Sequence, residues 1–231
     1  MKKITPILVG LALSASANAY DLSQKFYAGI NLGGSIPTLS TTAKEFQTAT
    51  GQSFKKNSIA GDIHVGKRFG AFGLELSAGL LDSVSMSLPA STGLTSVKAT
   101  DYLFALDLGY YMPVNDQFSV RGTLGLGALY SKNTVAVSNT ALLGTIAANA
   151  TANGFAATDK LMGYTTTTMQ SLTNGTNTSS TFKLAPKVGV GAVFAVHQNV
   201  SLTAAANFIY PIKNDHVKYL FNLNVGANYH F

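Results

Sequence analysis

Apolar and polar residues alternate one by one along eight stretches of this chain. Between positions 25 and 33, Phe26, Ala28, Ile30 and Leu32 fall on one side, and Tyr27, Gly29, Asn31 and Gly33 on the other. The same period of two runs through 58–69, 72–80, 101–110, 118–130, 182–194, 200–210 and 218–231. A two-residue repeat sends successive side chains to opposite faces, so each stretch is predicted to be a strand with unlike faces. About ten residues of tilted strand cross a bilayer. The predicted fold is therefore all-β, an eight-stranded antiparallel up-and-down transmembrane β-barrel with its apolar side turned outward.

The connections and strand ends support that sidedness. Gly70-Ala71, residues 112–117 and His197-Gln198-Asn199 are short turns, whereas 34–57, 81–97, 131–181 and 211–217 are longer loops. Short turns at one end and long loops at the other are typical of outer-membrane barrels, the short turns being periplasmic. Phe26, Phe69, Phe72, Tyr110, Phe118, Phe194, Tyr229 and Phe231 gather towards the short turns; Tyr102, Tyr130, Phe182, Phe208, Tyr210 and Tyr219 gather towards the loops. Two such girdles mark two membrane interfaces. A soluble lipocalin-like barrel also alternates, but with its apolar face inward. Here the apolar face carries one charge, Lys67, near a strand end where it can snorkel. The opposite face is small and charged, which suits a narrow lumen.

Residues 1–19 read as a secretory signal peptide. Lys2 and Lys3 precede an apolar run, and Ala17-Asn18-Ala19 is an A-x-A site before Tyr20. Residues 20–231 are then the barrel and its extracellular loops. Composition narrows the chemistry further. The 231 residues include no cysteine, which removes disulfides and thiol catalysis. The formal charge of +6 is scattered and forms no basic cluster with interleaved aromatics, so nucleic acid is not an expected partner. His64, His197, His216 and His230 are dispersed without metal-ligand spacing. No catalytic, cofactor-binding or metal residues are expected, and no cofactor.

The predicted inward face carries Asp62, Glu75, Asp101 and Asp107 against Arg68, Arg121, Lys183 and Lys187, with His64 among them. A gated pore or proton-transfer site is one reading. A structural ion-pair network is favoured, because an eight-stranded lumen barely holds side chains and charges there must pair. By depth, His64 falls beside Glu75 and Asp107 beside Arg121. The many inward glycines are expected to leave water pockets. His216 with neighbouring Asp215 is the only pair placed for lipid-modifying catalysis, and no serine motif accompanies it. The 131–181 loop is low-complexity Thr, Ser, Asn, Ala and Gly, a surface for adhesion or partner contact. A short helix is expected over 139–150. The 34–57 loop, with Lys44, Lys55, Lys56 and Glu45, reads as solvated.

The segment Phe26-Tyr27-Ala28-Gly29-Ile30-Asn31-Leu32-Gly33-Gly34 resembles the first strand of small Gram-negative outer-membrane β-barrel proteins of the OmpA-transmembrane, OmpX and opacity-protein type. The ending Leu223-Asn224-Val225-Gly226-Ala227-Asn228-Tyr229-His230-Phe231 is similar to that group's terminal assembly signal, with Tyr229 and Phe231 in the alternating aromatic places. The resemblance implies a cell outer-membrane location, contact with outer-membrane lipids and lipopolysaccharide, and insertion by the barrel assembly machinery. The expected function is a non-enzymatic structural and surface-interaction protein, an adhesin or antigen meeting a host or matrix ligand through its extracellular loops. A small low-conductance pore is the alternative, and a lipid-modifying barrel enzyme the third reading.

Overall fold

The structure, a computed structural model, describes residues 22, 24–57, 59–88, 94–140, 164 and 172–231. The signal peptide expected over 1–19 lies outside these residues, as does most of the helix expected over 139–150. The elements are β1 (Phe26–Leu39), α1 (Thr41–Thr50), β2 (Lys55–Asn57), β3 (Ile59–Phe69), β4 (Phe72–Ser87), β5 (Leu94–Pro113), β6 (Phe118–Val137), β7 (Gly175–His197), β8 (Val200–Ile209) and β9 (Val217–His230). Antiparallel pairing runs β4-β3-β1-β9-β8-β7-β6-β5, and β4–β5 pairing closes the ring of eight. Closure leaves no open edge along the wall, as backbone in lipid requires. The C-terminus completes the seam, with Phe231 N donating to Phe26 O at 2.9 Å.

The apolar phase faces outward across the middle of the wall. Ile63 is 65% exposed, Leu124 63% and Val225 57%, whereas Asp107 between Leu106 and Leu108 is 0% exposed. Both girdles form, with Phe72–Tyr110 centroids 5.4 Å apart at the short-turn end and Tyr130–Phe182 centroids 4.8 Å apart at the loop end.

The strands continue well beyond the predicted boundaries at the loop end. β4 and β5 take up most of 81–97, and β6 and β7 extend into 131–181. Their alternation changes sense above Tyr102 and Tyr130. Val84, Met86, Val97, Ala99, Val135 and Val137 turn inward, while Lys98, Lys132 and Thr134 turn outward or stay partly exposed. Lipid outside demands one polarity and water outside the other, so the sequence inverts where the strands leave the belt.

The 34–57 stretch also differs from the solvated loop expected. It supplies the end of β1, the short β2 on the rim of β4, and α1. Ser40 caps α1, accepting from Ala43 N at 3.1 Å, and Gly51 ends it at φ 65°. Ala43 and Phe46, both 0% exposed, insert into an apolar core with Leu39, Phe54, Leu94 and Leu172. In β9, a register shift opposite Thr38/Leu39 accompanies a buried Val217 and an exposed Lys218.

Candidate functional site

The interior is stacked in layers. Nearest the short turns is a polar layer containing most of the predicted charges. Above it Leu81, Leu103, Leu129, Ala185, Ile209 and Leu220 form an apolar layer. A second polar layer holds Asp101, His216, Ser131 and Asn133, all at most 2% exposed. The apolar core around Phe46 covers the top.

The lower polar layer owes its pairing to glycine. Tyr27, Gly66 and Glu75 lie in one lateral row of β1, β3 and β4, and the Tyr27 hydroxyl donates across the glycine to Glu75 Oε2 at 2.9 Å. His64, Gly29 and Asn228 form another row, with His64 Nε2 2.7 Å from Asn228 Oδ1. In a third, the Thr203 hydroxyl donates to Asn31 Oδ1 across Gly226 at 3.2 Å. Asp107, Gly125 and Lys187 make the fourth, and Lys187 Nζ donates to Asp107 Oδ2. A Cβ at Gly66 would strike the Tyr27 ring, and one at Gly125 the Asp107 carboxylate. The inward glycines are thus saddles over which their lateral neighbours meet, and much of the volume expected to hold water is occupied by those neighbours.

The partners differ from those read by depth. Arg121 stands opposite Tyr111, not Asp107, and its Nη1 donates to Glu75 Oε2 at 3.0 Å. Asp107 takes Lys187 instead. His64 stands opposite Ser77, and its Nδ1 lies 3.0 Å from Asp62 Oδ1, which also accepts from Asn31 Nδ2 at 2.9 Å. Arg68 stacks on the Tyr111 ring at 4.1 Å. Lys183, beside Leu129, is partly buried and makes no ion pair among the described residues. His216 turns from Asp215 towards Asp101, Nε2 to Oδ2 at 2.9 Å. Its backbone and that of Asp215 bind Ser40, the cap of α1. That pair is sealed between two apolar layers, away from any lipid substrate.

Sequence reasoning did not pick out Tyr27, Tyr111, Asn31 or Asn228 as site residues. Their signal was available, since each shares the inward phase of a charged neighbour or glycine. A polar cavity of about 60 Å³, with room for a few waters, remains between Asn31, Asp62, Glu75, Asp107, Asn222 and Asn224. Asp107 Oδ1, Asn222 Oδ1 and Asn224 Oδ1 are buried there without a protein partner, which suits hydration. Among the described residues, no cluster of three or more His, Asp or Glu side chains could hold a metal.

The family model of the outer membrane protein β-barrel domain matches residues 5–231. The sequence matches none of the curated proteins with which it was compared. A major outer membrane protein from Thermus thermophilus is similar in structure, with TM-score 0.55, 14% identity, and 90% of this chain and 100% of that chain covered. Ail, the attachment invasion locus protein of Yersinia pestis, gives TM-score 0.49 at 16% identity over 90% of this chain and 99% of its own. The neisserial surface protein NspA gives 0.48 at 14% identity, covering 89% and 97%. At such identities the likeness is one of fold.

Proposed function

This chain belongs to the outer-membrane protein β-barrel family, and from that premise we propose that it is a non-enzymatic, closed structural barrel that meets external partners through its loop end. The observation that carries this reading is the contrast between a filled interior and an elaborated outer end. Leu129, Ala185 and Leu220 are each 0% exposed across the lumen, while four strand extensions and α1 build a separate core at the loop end. Rigid scaffolds of this kind commonly carry binding on their loops. In the lower layer, Asp62, His64, Glu75, Asp107, Arg121 and Lys187 act as a structural network, and Arg68 and Lys183 line the same interior. Tyr229 near the end of β9 and Phe231 just beyond it belong to the segment read by assembly machinery. The ligand of the loops is a host-cell or matrix component.

The test is attachment. Residues 141–163 are replaced by a short Gly-Ser link, sparing Tyr164 and Leu172, which pack in the outer core. Cells displaying the full chain are expected to bind host cells or matrix, and cells displaying the shortened chain to lose that binding. Equal attachment by both would overturn the reading. The small-pore alternative rests on the polar cavity of about 60 Å³; steady, well-resolved conductance from the refolded barrel in a planar bilayer would promote it.

A further inference from the structure

An Asn-Gly pair sits at the base of the long loop. Asn174 and Gly175 stand where β7 begins, and both are exposed. The backbone is anchored on each side of them. Leu172 is buried in the outer core, and Gly175 is in register with Val137 of β6. Between these anchors the Asn177 side chain staples the turn. Its Nδ2 donates to Thr173 O at 2.8 Å, and its Oδ1 accepts from the Thr173 hydroxyl at 3.3 Å. Asn174 lies inside the stapled turn, and its Oδ1 accepts from Thr140 N at 3.1 Å. That contact ties the chain just past β6 to the start of β7.

An asparagine followed by glycine can react with its own backbone, because no side chain hinders the approach of the next main-chain nitrogen to the Asn Cγ. Here nothing lies within 4 Å of where a Cβ on Gly175 would stand, and its φ of 104° is one that glycine adopts readily. Negative charge develops during the attack on Asn174 Oδ1, the atom to which Thr140 N already donates. A backbone donor aimed at a developing oxyanion lowers the barrier to attack on a carbonyl carbon. We infer that Asn174 is a site of spontaneous conversion to aspartyl and isoaspartyl residues, assisted by the Thr140 N–H. The Gly175 nitrogen bonds to Asn174 Cγ, the Cγ–Nδ2 bond breaks, and ammonia leaves with the displaced Gly175 amide proton. Water then opens the cyclic imide at either carbonyl. The product exchanges an amide for a carboxylate, and the isoaspartyl form routes the main chain through Cβ, adding one carbon before β7. The base of the long loop thereby carries a change that accrues with the age of the protein. This chemistry is independent of any ligand of the loops.

The experiment uses the full barrel, freshly purified in folded form and held in lipid at neutral pH, with a parallel sample unfolded in urea. Both are sampled over days. The peptide containing Asn174 is read by mass spectrometry, with electron-transfer fragmentation separating aspartyl from isoaspartyl products. Asn174 is expected to convert faster in the folded barrel than in the unfolded chain, where Asn153-Gly154, the other such pair in the sequence, calibrates the unassisted rate. Thr140→Pro, which removes the donor, should slow conversion in the folded barrel by roughly tenfold, less than the loss of an oxyanion donor costs in a water-excluded site. Thr140→Ala keeps the N–H and should leave the rate unchanged. Heat-modifiable gel mobility reports folding, and the folded-versus-unfolded comparison needs no variant. Conversion of Asn174 no faster folded than unfolded, or at the wild-type rate in folded Thr140→Pro, would overturn the proposal. Equal slowing in Thr140→Ala and Thr140→Pro would also overturn it.

Discussion

Within the lipid belt, the barrel is polar inside and apolar outside; beyond the loop-end girdle the same strands are apolar inside and polar outside. On β5, Asp107 points in and Leu106 out, yet nearer the loop end Val97 points in and Lys98 out. The wall geometry is continuous, with β5 and β6 paired from Ser96 through Pro113. What changes is the solvent beyond the wall. Where lipid covers the outside, the interior must hold the polar groups, and each buried charge needs a partner. Where water covers the outside, hydrophobic burial can use the interior, and the strands build a water-soluble core.

This contrast sets the order of expected mutational effects. Phe46→Ala in the outer core should cost about 3–5 kcal/mol as a buried large-to-small change. Asp107→Asn in the lower layer should cost about 3–5 kcal/mol, because it strands Lys187 while Arg121 stays engaged with Glu75. Urea unfolding in lipid bilayers measures both. Leu106→Arg, in the belt, should cost about 2–4 kcal/mol. Gly125→Ala pushes a methyl into the Asp107–Lys187 saddle and should cost about 1–3 kcal/mol by overpacking. Smallest is Thr134→Arg, outward but above the girdle, expected within about 0.5 kcal/mol. A Thr134→Arg cost equal to that of Leu106→Arg would erase the distinction between the two regions.

The eight-stranded ring and the sidedness of its belt were legible because alternation there is nearly unbroken. Strand ends were not, because Val84, Val97 and Val135 invert the phase used to recognise the wall, and a sequence scan for apolar-out stretches stops where the inversion begins. α1 was hidden by Thr and Lys, although Ser40, Ala43 and Phe46 carry its cap and buried face. In the interior, the facing of Asp62, Glu75, Asp107, Arg121 and Lys187 followed from phase alone. Their partners did not. Lys187 reaches Asp107 from two strands away because Gly125 stands between them, and a glycine reads in sequence as empty volume, not as a bridge. His216 was paired with its chain neighbour because Asp101 is 115 residues distant.

The inversion can be tested directly because the chain has no native cysteine. Single cysteines at Lys98, Phe104 and Leu106, all outward on β5, are exposed on intact cells to a membrane-impermeant maleimide. Lys98→Cys is expected to react, while Phe104→Cys and Leu106→Cys stay unlabelled and, carrying a fluorophore, are quenched by spin-labelled lipid. Labelling at Leu106→Cys, or lipid quenching at Lys98→Cys, would contradict a membrane boundary at the Tyr102–Tyr130 girdle.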